Sequence, residues 1–192
     1  MSVGEPTEEK LVQDYVSQWY PKRYSGSGFV YNSRIVTTML AGLDMKHQVL
    51  DVGCGTGFVS QLHPNFSITG IDISDGMLAR NPHKWVKAPV EAMPFPNAHF
   101  DWVVCRSLLH HLENPAVGLA EMYRVLKPGG RFVCWEVNYS VLNDLVRRAA
   151  KLTRRFSHLH RNFKSDELID LIRQSGLLLE RVTYHGYVAY VL

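Results

Sequence analysis

The chain has 192 residues, 46% of them hydrophobic and 20% charged, which suits one domain around a single core and excludes a disordered or fibrous chain. A formal net charge of +3 is too small by itself to argue for nucleic acid, and no apolar run approaches the ~18 residues needed to span a bilayer. The opening Met1-Ser2-Val3-Gly4-Glu5 has no apolar signal stretch, and the three cysteines, Cys54, Cys105 and Cys134, lack metal-ligand or disulfide-framework spacing, so a cytoplasmic protein without a bound metal is expected.

Residues 7–43 predict one or two helices, broken at Pro21 and at Ser25-Gly26-Ser27-Gly28. Val49-Leu50-Asp51-Val52 predicts a buried strand that ends at glycines. Ile68 to Asp72 predicts a second strand ending at an acid, Trp85 to Ala88 a weaker third, and Phe100 to Cys105 a fourth. Between Ala116 and Leu126, Leu119, Met122, Tyr123 and Leu126 share one helical face. Arg131 to Glu136 predicts a fifth strand, entered through Pro128-Gly129-Gly130. Residues 137–164 predict an inserted helix. Ser165 to Gly176 predicts a helix with Ser165 as N-cap and Gly176 as its stop. Leu177 to Tyr184 and Tyr187 to Leu192 close the chain as β-like runs around His185-Gly186, an antiparallel hairpin. Alternating strands and helices predict an α/β domain, a mostly parallel sheet covered by helices on both faces. Residues 1–192 then form a single domain, with residues 1–45 as a helical lid and residues 137–164 as a basic insertion.

A strand, a glycine loop and a helix make a ligand cradle, because absent side chains let backbone approach and amides at a helix start favour anions. The loop Asp51-Val52-Gly53-Cys54-Gly55-Thr56-Gly57 spaces its glycines as G-x-G-x-G, with Phe58 where a dinucleotide fingerprint has its third glycine. Asp72 follows about 20 residues on, at the next strand end, where an acid grips ribose hydroxyls. A tight turn without a ligand is the plain alternative.

In chain order, Val49 to Gly57, Gly70-Ile71-Asp72-Ile73-Ser74 with Met77-Leu78, Glu91-Ala92-Met93-Pro94-Phe95-Pro96 with Phe100-Asp101, Leu109-His110-His111-Leu112, Glu121 to Gly130 and Phe163 to Leu168 resemble the class I S-adenosylmethionine-dependent methyltransferases. The resemblance is to the subgroup that includes the ubiquinone and menaquinone methyltransferases. It implies a Rossmann-like, three-layer, seven-stranded sheet in the order 3-2-1-4-5-7-6 with an antiparallel last strand. It implies S-adenosyl-L-methionine as cofactor and S-adenosyl-L-homocysteine as product. By this resemblance Asp51 and the backbone of Gly53, Cys54 and Gly55 hold the amino-acid end of the cofactor. Asp72 takes the ribose, Ile73 and Met77 pack on the adenine, Val90 and Glu91 lie at the adenine edge, and Cys105 and Arg106 face the methionine portion. Three positions depart from the pattern. Pro89 replaces an acid common before the Glu91 stretch. The span from Gly57 to Ile68 allows a first helix of only a turn or two. Arg106 stands where smaller residues are common, to reach a carboxylate or anionic acceptor, or else in a surface ion pair.

Methyl transfer from a sulfonium is an in-line displacement, so alignment and exclusion of water dominate. An oxygen acceptor usually also needs a base, and His110 and His111 are the candidates; the alternative is that they only shape the pocket. The chain lacks the Asn/Asp-Pro-Pro-Tyr/Phe signature after strand four, which counts against nucleic-acid adenine. His158-Leu159-His160 has no acids nearby and reads as solvated. From Leu145 to Ser165 there is no acid, while Arg147, Arg148, Lys151, Arg154, Arg155, Arg161 and Lys164 fall there and Leu142, Leu145, Val146, Ala149, Leu152 and Phe156 repeat at helical spacing. This basic amphipathic stretch, residues 142–161, meets an anionic acceptor, an anionic membrane or only solvent. Tyr24, Tyr31 and Arg34, with Tyr15, Trp19 and Tyr20, supply either an acceptor-site lid or plain packing. The function expected is methyl transfer to a small organic acceptor, anionic or lipid-like. The rivals are an RNA or protein methyltransferase and a non-catalytic cofactor-binding protein.

Overall fold

The computed structural model describes residues 27–137, 163–185 and 188–191. The readings made for Tyr15, Trp19, Tyr20, Tyr24, His158 to His160 and the basic stretch 142–161 lie outside these residues. The elements are α1 (Ser27–Met39), β1 (Gln48–Val52), α2 (Phe58–Leu62), β2 (Ser67–Asp72), α3 (Asp75–Leu78), β3 (Trp85–Lys87), β4 (Phe100–Arg106), α4 (Pro115–Val125), β5 (Leu126–Val137), α5 (Ser165–Gln174), β6 (Val182–His185) and β7 (Val188–Val191). One-turn 3-10 helices stand at Val90–Ala92 and Leu109–His111.

Five strands pair in parallel in the order β3-β2-β1-β4-β5. The sheet continues through β7, antiparallel to β5, and then β6, antiparallel to β7. Parallel strands must be covered on both faces, which is why their sequences are near-continuous apolar runs. On one face Leu50, Val52, Val103 and Cys105 pack beneath Leu119, Met122 and Val125 of α4 and Leu168 and Ile172 of α5. On the other, Val49, Trp102, Val104, Val133 and Trp135 meet Ile35, Val36 and Met39 of α1 and Phe58 and Val59 of α2. Strand alternation puts Asp51 on this second face, beyond Val49.

Three local expectations need correction. β5 begins at Leu126, not Arg131: Leu126 pairs with Phe100, and a register shift before Arg131 absorbs the Pro-Gly-Gly run inside the strand. Ser165 is the first helical residue of α5 rather than its cap; the cap position is Lys164, with no side-chain cap bond. β6 starts only at Val182, because the preceding residues from Leu177 do not join the sheet. The short first helix is as expected, α2 having five residues.

Candidate functional site

The carboxyl ends of β1, β2, β4 and β5 converge, and the chemistry-bearing residues stand on these ends. The glycine loop leaves β1 and is pinned to β2: the N–H groups of Gly53 and Cys54 both donate to Ile71 O, at 2.9 and 3.1 Å. Gly57 N–H donates to Cys54 O at 2.9 Å. Gly55, at φ +50°, turns its N–H onto Asp72 Oδ2 at 2.8 Å. A side chain there would be strained by that φ and would meet only the Met77 sulfur, 3.8 Å off, so the loop is open on this side. Four amides of the cradle are thus consumed inside the protein. These four amides are therefore not offered to an anion, and α2 is too short to add a helix-end field. The loop instead exposes its edge beside two carboxyl groups.

Asp51 is 2% exposed. Its Oδ2 has no hydrogen-bond partner among the described residues. Burial pushes its pKa up to about 7, the Arg106 guanidinium pulling it down and Asp72 adding to the rise. A buried carboxyl of this kind is a costly group unless a cation or donor meets it. Asp72 is half-buried and held by Gly55 on one oxygen and by the Ser74 N–H, 2.9 Å, on the other. Burial raises its pKa, against the pull of those amides and of His111. A cofactor carrying an ammonium, a sulfonium and a ribose diol fits this donor set: positive charge for Asp51, hydroxyl donors for Asp72. A phosphate-bearing ligand does not.

Cys54 turns its side chain behind the loop, where Asn81 Nδ2 donates to its sulfur at 3.5 Å and to Gly55 O at 3.1 Å. Burial and the charges of Asp51 and Asp72 hold the thiol protonated. Met77 is buried under the loop, whereas Ile73 is 36% exposed and stands beside Asp72. Val90 is buried in the 3-10 turn that Pro89 caps, and Glu91 is half-buried next to it. Cys105 needs correction: it is fully buried in the core opposite Cys134, so its side chain does not face the cleft. Arg106 does not lie at the surface either. It is 8% exposed, with its guanidinium 4.9 Å from the Phe58 ring centroid and 5.3 Å from that of Trp135. Tyr31 and Arg34 are exposed on α1, away from its buried face of Ile35, Val36 and Met39. His110 and His111 follow β4 in one turn, their ring centroids 4.0 Å apart. Ser107, at φ +50°, turns the chain between β4 and that pair.

Sequence reasoning missed three supports. Glu136, fully buried at the end of β5, binds His110; an acid closing an apolar strand was the signal. Asn81 holds the loop from behind. Arg124 clamps residues 93–97 to α4: it donates to Phe95 O (2.8 Å), Asn97 Oδ1 (2.8 Å), Met93 O (3.0 Å) and both Glu121 oxygens, while Met93 N–H donates to Glu121. Arg124→Ala is expected to lower the melting temperature by roughly 3–6 °C and to expose the Met93 amide to hydrogen exchange. Arg124→Lys should rescue little, since a point charge cannot span this fork. A melt with amide exchange checks both. Among the described residues no cluster of His, Cys, Asp and Glu could hold a metal, and no helix is long and apolar enough to cross a membrane.

A family model described as a methyltransferase domain matches residues 50–134. The ubiquinone/menaquinone biosynthesis C-methyltransferase of Geobacter sulfurreducens is 40% identical over 105 residues, covering 46% of this chain and 41% of that protein. The malonyl-[acyl-carrier protein] O-methyltransferase of Hahella chejuensis is 35% identical over 97 residues, covering 45% and 35%. The chain thus matches less than half the length of either relative. A solved structure from Bacillus halodurans, provisionally assigned as a methyltransferase, is 28% identical, covers 80% of this chain and 71% of that one, and superposes with a TM-score of 0.68.

Proposed function

We propose that this chain, whose residues 50–134 match a methyltransferase domain model, is a class I S-adenosylmethionine-dependent methyltransferase that transfers the cofactor's methyl group to a small organic acceptor, anionic or lipid-like. One observation carries the reading: a buried Asp51, its Oδ2 without a hydrogen-bond partner among the described residues, and a loop-pinned Asp72 stand on neighbouring strand ends, beside a loop with four amides already bonded. When bound, the cofactor supplies an electrophilic methyl on a positively charged sulfur.

The chain's own residues bind, orient and exclude water. Asp51 answers the ammonium, and Arg106 beside it the carboxylate of the same end. Gly53, Cys54 and Gly55 supply backbone along that end. Asp72 accepts from the ribose hydroxyls. Ile73 and Met77 form the apolar bed of the adenine, and Val90 and Glu91 its edge. Cys105 contributes only main chain. His110 or His111 takes the acceptor's proton. Acceptor recognition is assigned to Tyr24, Tyr31, Arg34 and the basic stretch 142–161. Relatives named for quinones and for a malonyl carrier protein support small and lipid-like acceptors.

Calorimetric binding of S-adenosylhomocysteine tests the cofactor half; no binding near neutral pH would remove it. Incubating the protein and S-adenosylmethionine with a metabolite extract tests the transfer half. A mass gain of one methyl group is expected, and its absence in the presence of cofactor binding would leave a non-catalytic binder.

A further inference from the structure

Glu136 is fully buried near the end of β5. A carboxyl group there is costly unless both oxygens are satisfied. Both are given to one residue: Oε2 accepts the His110 backbone N–H at 3.0 Å, and Oε1 lies 2.9 Å from His110 Nδ1. Anchoring the turn to β5 would need only the first bond. The second acts on the ring. If the carboxylate is ionised it can only accept, which puts the ring hydrogen on Nδ1 and, in the neutral imidazole, the lone pair on Nε2. Main chain and ring are held together, so the ring cannot swing. Its ring lies against that of His111, the centroids 4.0 Å apart and the planes tilted by 41°, and His111 in turn acts electrostatically on Asp72. Glu136, His110, His111 and Asp72 thus form a file across the strand ends from β5 to β2. The other titratable groups on the ends of β1, β4 and β5 are Asp51, Arg106, Cys105 and Cys134.

We propose that Glu136 is a positioning residue that holds His110 with Nε2 as its basic nitrogen, and that the acceptor is therefore one that must lose a proton, a hydroxyl or an acidic C–H, and not a carboxylate. This rests on the transfer reading above. In the step, the acceptor's proton passes to Nε2, and the electron pair it leaves forms the bond to the methyl carbon. The carbon–sulfur bond breaks with its electrons on sulfur. Glu136 stabilises the resulting imidazolium, whose added proton then leaves to water. A carboxylate acceptor arrives already deprotonated, and for it the pair would be idle.

The test is the protonation state of His110, read by long-range proton–nitrogen correlation on the full chain with S-adenosylhomocysteine added. Hydrogen on Nδ1 is expected; hydrogen on Nε2 in the neutral ring overturns the proposal, with no variant needed. In Glu136→Gln the hydrogen of the neutral His110 ring should no longer be confined to Nδ1, while S-adenosylhomocysteine affinity stays within threefold, and Glu136→Asp should restore that confinement in part. A ring still held wholly with its hydrogen on Nδ1 in Glu136→Gln overturns it. With 1,4-dihydroxynaphthalene as probe, transfer is expected and should drop ~100-fold in Glu136→Gln. No transfer to this diol, or equal transfer by wild type and Glu136→Gln to a malonyl thioester, overturns the acceptor class. Failure of the wild type to bind S-adenosylhomocysteine would instead sink the cofactor reading, while the His110 spectrum would still decide the placement of its proton.

Discussion

Asp51→Asn is expected to make the cofactor-free protein more stable and worse at binding. The Asp51 carboxyl titrates at about 7 in the fold, against an ordinary 3.8. The folded state therefore holds this proton more tightly than the unfolded chain does. Its contribution to stability is complete below pH ~4 and is lost as pH rises towards 7. At pH 8 the fold carries a buried charge that costs on the order of 4 kcal/mol, even with Arg106 near it. Asparagine carries no such charge. Allowing for relaxation, the melting temperature should rise by roughly 5–10 °C at pH 8 and by nothing measurable at pH 4. S-adenosylhomocysteine affinity at pH 8 should fall at least ~10-fold, since a charged partner of its ammonium is gone. Melting curves at the two pH values with calorimetry at pH 8 check this. A variant that melts with the wild type at both would show that Asp51 bears no buried charge.

Asp72→Asn should be the most damaging single change for cofactor binding. Asp72 uses one oxygen for the Gly55 N–H and the other for the Ser74 N–H. An asparagine has one acceptor oxygen, so whichever way it turns, one backbone donor faces an NH2 group. An unmet donor of this kind costs about 1–3 kcal/mol. The ribose hydroxyls lose a charged acceptor as well. Together these predict a loss of ~100-fold or more in S-adenosylhomocysteine affinity, with faster exchange of the Gly55 amide. The second readout does not depend on the ligand. Affinity within threefold of wild type would take Asp72 out of the site.

Much of this was legible in the chain because period and punctuation agree. Val49 to Val52, Ile68 to Asp72 and Phe100 to Cys105 are short apolar runs ended by glycine, acid or arginine, and each forms a strand of the parallel sheet. The spacing of Asp51, Gly53, Gly55 and Asp72 agrees with their place at the adjoining ends of β1 and β2. What was hidden is what depends on direction. Cys105 reads as lining the cleft, but strand alternation turns it to the core. Arg106 reads either as reaching an anion or as a surface ion pair, and the rings of Phe58 and Trp135, distant in sequence, bury it. Glu136 meets His110 across 26 residues, and no local pattern marks that pair. The Pro-Gly-Gly before Arg131 reads as a strand entrance because turn chemistry and a bulged strand use the same residues.

The inward-turned amides of Gly53, Cys54, Gly55 and Gly57 have a consequence for selectivity inside a cell. Adenosine is the shared half of many abundant metabolites, among them ATP and the nicotinamide dinucleotides, and an acid on the ribose welcomes all of them equally. Those rivals carry their identity in phosphates. Here a phosphate would find no outward N–H on those four residues and would sit against Asp51 and Asp72 instead. On the proposed reading, like charge disfavours those phosphate-bearing compounds except where Arg106 offsets it, and the site selects by rejection as well as by grip.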